Sequence, residues 1–104
     1  MNPRMDQLKK NKFAVPVEKT AVTQDWRARG YSCEWFVDPP GREWNDFVHG
    51  CNELVTVVEG RLEMTVAGES CVLEPGDEMY IPKGAVHSVK NIYHATTRWL
   101  YGYD

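Results

Sequence analysis

Two histidines and a glutamate, His49, Glu53 and His87, are the side chains in this sequence best suited to chemistry. Side chains alternate across an extended strand, so Phe47 and His49 point one way and Val48 the other. Near the third residue, His87, Val89 and Asn91 share a face while polar Ser88 and Lys90 share the opposite one, which assigns His87 to the interior. Glu53 shares its face with Val55 and Val57. A carboxylate among valines is costly unless it is neutralised, hydrogen-bonded or coordinated to a cation. Two imidazoles and one carboxylate form a donor set that Fe(II), Mn(II), Ni(II) or Zn(II) accepts, with positions left for water or substrate. The other reading is a metal-free site in which the same three residues hold a water network.

The elements that must position these residues read as strands. Tyr31 to Val37 is an aromatic and β-branched run stopped by Asp38-Pro39-Pro40-Gly41, where two prolines supply no ladder donors. Leu54 to Val58 ends at Glu59-Gly60, and Arg61 to Val66 turns through Ala67-Gly68-Glu69 into Ser70 to Leu73. Glu74-Pro75-Gly76-Asp77 is a strong turn, after which Met79 to Ile81, Val86 to Val89 and Thr96 to Tyr103 complete the set. Short strands at regular intervals, with no convincing helix between them, predict an all-β barrel or sandwich. Residues 1–12 are polar and read as an N-terminal arm or tail; residues 13–104 read as the single barrel domain.

The spacing of the chemical residues carries a resemblance. Gly41 leads to Phe47-Val48-His49, then Glu53 and Gly60; a second block runs Gly76, Pro82, Gly84, His87 and Asn91. This resembles the paired signature of the cupin superfamily, G-x5-H-x-H-x3,4-E-x6-G followed by G-x5-P-x-G-x2-H-x3-N. The resemblance spans residues 41–91 and implies a small single-domain cupin 2-like protein: one jelly-roll β-barrel of two antiparallel sheets with its site inside one mouth. It implies that His49, Glu53 and His87 are ligands to a divalent transition metal (Fe, Mn, Ni or Zn). Dioxygenases and isomerases of small organic molecules are the activities it implies, with non-enzymatic ligand binding or a metal-free structural dimer as alternatives. One signature position departs, since Phe47 stands where the first histidine belongs. A phenyl ring cannot ligate, so the site keeps three of four donors and gains an apolar wall. Cys51, between His49 and Glu53, reads as a small packed residue rather than a substitute ligand.

Alternation nominates further pocket walls. Trp99, Tyr101 and Tyr103 share one face of the last strand, and Met64, like Trp35, is core or cavity lining. Phe47, Met64, Trp99 and Tyr101 are therefore expected around the ligand. Arg61 and His94 read as exposed, at a strand start and a turn.

Composition narrows the partners. The chain has 104 residues, 42% hydrophobic, with a net charge of −3. The first twelve residues carry four basic side chains against one acid, so the body is more acidic still, which disfavours nucleic acid. No apolar run approaches the roughly 20 residues a membrane span needs. Three widely spaced cysteines without a C-x2-C pair suggest reduced thiols, hence a cytoplasmic protein. Leu54 and Val58 make the reverse face of the Glu53 strand apolar too, and burial of that face against a second copy predicts a homodimer.

Overall fold

The computed structural model describes residues 7–104. Nine strands and one helix follow in chain order: β1 (Leu8–Lys9), α1 (Lys19–Ala28), β2 (Glu34–Asp38), β3 (Glu43–Phe47), β4 (Glu53–Glu59), β5 (Leu62–Val66), β6 (Glu69–Leu73), β7 (Glu78–Ile81), β8 (His87–Asn91) and β9 (Thr97–Tyr103). They form a five-stranded sheet in the order β1-β7-β4-β9-β2 and a four-stranded sheet in the order β3-β8-β5-β6. Every pairing is antiparallel. This is the all-β jelly roll that the sequence predicts. The hairpin at Ala67-Gly68 joins β5 to β6 with both residues at positive φ, 49° and 87°, the two-residue turn whose twist matches the strands. The signature glycines Gly41, Gly60, Gly76 and Gly84 all have positive φ. At Gly60 a Cβ would also lie 2.2 Å from Thr97 Oγ1, so no other residue fits there.

The two sheets enclose one core, in which Val55, Val57, Leu62, Met64, Leu73, Met79 and Ile81 are buried. A second core lies on the other side of the five-stranded sheet. There Val22 and Trp26, one turn apart on α1, pack with Val17 and Cys33 over Leu54 and Leu100. The helix ends at Gly30 (φ 90°), where the Gly30 amide bonds the Arg27 carbonyl and the Tyr31 amide bonds the Trp26 carbonyl, a Schellman cap. Trp26 Nε1 donates to buried Glu78 on β7 at 2.8 Å, and Arg29 grips the same carboxylate with two bonds of 3.0 and 3.1 Å. These bonds lock the helix to the sheet.

The helix corrects one expectation and the premise of another. A helix is present where only strands and turns were predicted. It also packs over Leu54 on the reverse face of β4, which is 0% exposed within one chain, so the apolar face from which a dimer is expected is already partly covered. Residues 1–6 of the predicted arm lie outside the described residues. Of the remainder, Leu8 and Lys9 pair with Met79 and Glu78 of β7, and the Asn11 amide bonds Asp77 Oδ1 at 2.9 Å. No described helix is long and apolar enough to cross a membrane.

Candidate metal centre and its aromatic pocket

Strand β4 is buried on both faces, and alternation along it sends Glu53, Val55 and Val57 between the sheets. Glu53, at the end of that row, is 4% exposed. His87 begins β8 on the facing sheet and is buried, while His49 lies in the loop after β3. Glu53 Oε1 is 3.4 Å from His49 Nε2 and 3.6 Å from His87 Nε2. One ligand atom from each of the three lies within 4.8 Å of the other two. The structure thus brings together the three residues singled out from the sequence.

The protonation pattern leaves a gap for a cation. His87 Nδ1 is 3.2 Å from the Ala85 carbonyl, which can only accept, so the ring proton sits on Nδ1 and the Nε2 lone pair faces Glu53. Burial lowers the His87 pKa, against that carbonyl bond, so the ring is neutral and ready to donate electrons. Glu53 Oε1 is buried without a hydrogen-bond partner. Burial alone pushes its carboxyl up to about 7. Two acceptors facing each other in an apolar setting require a proton or a metal between them. Metal bonds of about 2.1 Å at tetrahedral or octahedral angles set ligand atoms roughly 3.0–3.4 Å apart. The two separations from Glu53 are close to that range, so its position between the imidazoles suits a transition metal by chemistry and by spacing.

Above the three donors is a cavity of about 290 Å³. Phe47, Met64, Trp99 and Tyr101, the walls nominated from sequence, all line it. Phe47 is 37% exposed at the mouth, its ring centroid 6.2 Å from those of both His49 and His87. Phe36, Trp44, Val89 and Tyr103 line it as well. Trp44 was hidden by a bulge: Trp44 pairs with Val89 and Phe47 with His87, so one extra residue lies between them on β3. Asp46 (φ 58°) takes up the extra length, and Trp44 and Phe47 therefore face the same side against simple alternation. Phe36, not its neighbour Trp35, points inward; Trp35 lies outside under the Arg98 guanidinium at 4.5 Å. Arg61 pairs with Glu74 at 3.3 Å, and His94 is exposed beside Tyr93, both away from the cavity. Cys51 is half-buried and does not line it.

The family description "Cupin domain" matches residues 34–103, more than half of the sequence. The chain belongs to the cupin family. Solved structures agree in fold. A cupin 2 domain-containing protein from Halorhodospira halophila superposes with a TM-score of 0.67 at 24% identity, over 75% of this cupin and 58% of that chain. An RmlC-like cupin from Shewanella frigidimarina gives 0.64 at 20% identity, over 70% and 64%. Salicylate 1,2-dioxygenase from Pseudoaminobacter salicylatoxidans, solved with gentisate, gives 0.65 at 22% identity, over 71% and 20%. This cupin spans less than two thirds of each of these chains. A comparison with curated protein sequences finds no match.

Proposed function

We propose that this cupin binds a small organic molecule at a divalent transition metal held by His49, Glu53 and His87, and that the bound molecule undergoes metal-dependent oxygenation or isomerisation. The observation that carries the reading is the orphaned, buried Glu53 Oε1 between two imidazole nitrogens. A bound Fe, Mn, Ni or Zn ion would supply Lewis acidity toward a carbonyl or enolate oxygen, or a site for dioxygen. The dioxygenase among the structural neighbours shares the fold and lends the oxygenase reading its precedent.

The chain's own residues divide the remaining work. With two imidazoles and one carboxylate as ligands, a divalent ion here would keep one net positive charge, which suits an anionic ligand oxygen. Tyr103 Oη lies 3.5 Å from His49 Nε2 at the same mouth. Burial, reinforced by nearby Glu53, pushes its phenol up to about 12, so it keeps its proton and serves as a hydrogen-bond donor to the ligand. Glu53 is the one carboxylate among the described cavity-lining residues, and as a ligand it is not a free base. The reading therefore favours activation of the substrate's own oxygen over proton abstraction by a second acid. Phe47 and the other rings keep bulk water from the reacting face.

Elemental analysis of protein purified without chelator, repeated on His87→Ala, tests the proposal. Stoichiometric metal in the first sample and its loss in the second are expected. No metal in either, with reconstitution also failing, would refute it and leave metal-free ligand binding or a structural barrel.

A further inference from the structure

The walls of the cavity are organised beyond what a metal site needs. Phe47, Trp44, Phe36, Trp99, Tyr101 and Tyr103 follow one another around it with successive ring centroids 5.8, 5.8, 5.1, 6.0 and 5.7 Å apart. His49 closes the circuit, 5.1 Å from Tyr103 and 6.2 Å from Phe47. The belt is assembled from β2, β3, β9 and the loop after β3, so no single strand accounts for it.

One buried carboxylate sets two of its members. Asp38, the last residue of β2, is 0% exposed. Its Oδ1 accepts the Trp44 indole N–H at 2.9 Å and its Oδ2 accepts that of Trp99 at 3.0 Å. Arg42 lies 3.5 Å from Oδ1 and stacks over the Trp44 ring at 4.3 Å, which compensates the buried charge and closes the back of the belt. An indole held at its N–H by a buried carboxyl oxygen cannot swing into the cavity and fill it. The space therefore stays open in a fixed shape.

We propose that this belt is a preformed receptor for a flat, uncharged ring system, and that Asp38 is the positioning residue that keeps it open. The inference deepens the proposed function and rests on its reading of the cavity as a ligand site, not on the metal. An apolar cavity of about 150 Å³ takes a benzene, so one of about 290 Å³ takes one or two fused rings. No lysine or arginine is among the described lining residues, so the ring body carries no anionic group that the metal end does not meet. Aromatic faces and edges on all sides favour a planar π-system over a saturated ring of equal size.

The test is a fluorescence titration of 2-naphthol against its saturated counterpart, decahydro-2-naphthol, on chelator-treated and zinc-loaded protein. Preference of about tenfold or more for 2-naphthol in both forms is expected. Asp38→Asn presents an NH2 to one of the two indole donors; it should cost about tenfold in 2-naphthol affinity while zinc affinity stays within about twofold. Trp44→Phe added to Asp38→Asn removes a donor from that conflict but keeps a ring, and should restore part of the loss. If Asp38→Asn does not fold, Trp44→Leu alone should weaken 2-naphthol binding. Equal affinity for the two probes, or unchanged affinity in a folded Asp38→Asn protein, overturns the proposal. Ring binding without any zinc binding would sink the metal reading and leave this one standing. Ring binding confined to the zinc form would do the reverse.

Discussion

Glu53→Gln in the metal-free protein gives the sharpest test of the site. Glu53 is 4% exposed, and burial alone raises its carboxyl from 4.5 to about 7. The folded state thus holds the protonated form, and the unfolded chain gives up that proton more readily. No penalty exists below pH 4.5; it grows as pH rises toward 7 and is complete above that value. At about 1.4 kcal/mol per pKa unit the full penalty is about 3 kcal/mol, and at pH 5 it is below about 1 kcal/mol. Glutamine stays neutral throughout and can donate to either imidazole nitrogen facing Oε1. The variant should therefore gain on the wild type by about 2–3 kcal/mol between pH 5 and pH 8. Both imidazoles are present in each protein, so their contributions largely cancel in the difference. Urea unfolding followed by tryptophan fluorescence, with chelator and reductant present, measures it. A difference that stays flat across this range would refute the argument that Glu53 sits uncompensated in an apolar site. Zinc should then reverse the order, since about 1,000 Kd of a metal that binds only the wild type adds about 4 kcal/mol to it.

Metal uptake should follow the same proton: affinity rises about tenfold per pH unit below pH 7 and levels off above it, with a matching proton release in calorimetry in two buffers. Phe47→His should tighten metal binding by about tenfold or more, because the ring stands beside both imidazoles; unchanged affinity in a zinc titration would show that position 47 does not reach the metal. Leu54→Ala removes a side chain clamped under α1 and should cost about 2–5 kcal/mol in urea unfolding, with the metal stoichiometry unchanged.

The strands and the three donors were legible because both are written in period-two alternation and in turn residues. Glu53 between valines, and His87 opposite Ser88 and Lys90, announce their faces directly. The helix was not legible in that way. Its buried stripe is only Val22 and Trp26, with Thr23, Gln24 and Asp25 between, and its plainest signal is the glycine that caps it, Gly30. Trp44 was lost to the bulge at Asp46, which reverses the phase of alternation within one strand. In the sequence Asp38 stands only as the first residue of the Asp38-Pro39-Pro40-Gly41 stop. Its role depends on two tryptophans, one 6 and one 61 positions away, that only the folded chain brings to it. The predicted dimer leaned on an apolar face that the unrecognised helix covers.

The unequal burial of β4 and β3 has a kinetic consequence. Amide hydrogens of β4, packed under α1 on one side and the inter-sheet core on the other, should exchange only on global unfolding. Those of β3, at the edge of its sheet, interrupted by a bulge and mostly exposed, should exchange through local opening at far lower cost. Glu53 would then be bolted to a slowly exchanging part of the molecule, while Phe47, past the bulge, rides on a faster one. A ligand can enter by displacing Phe47 at the mouth for a moment, with the Glu53 floor of the site never leaving its place.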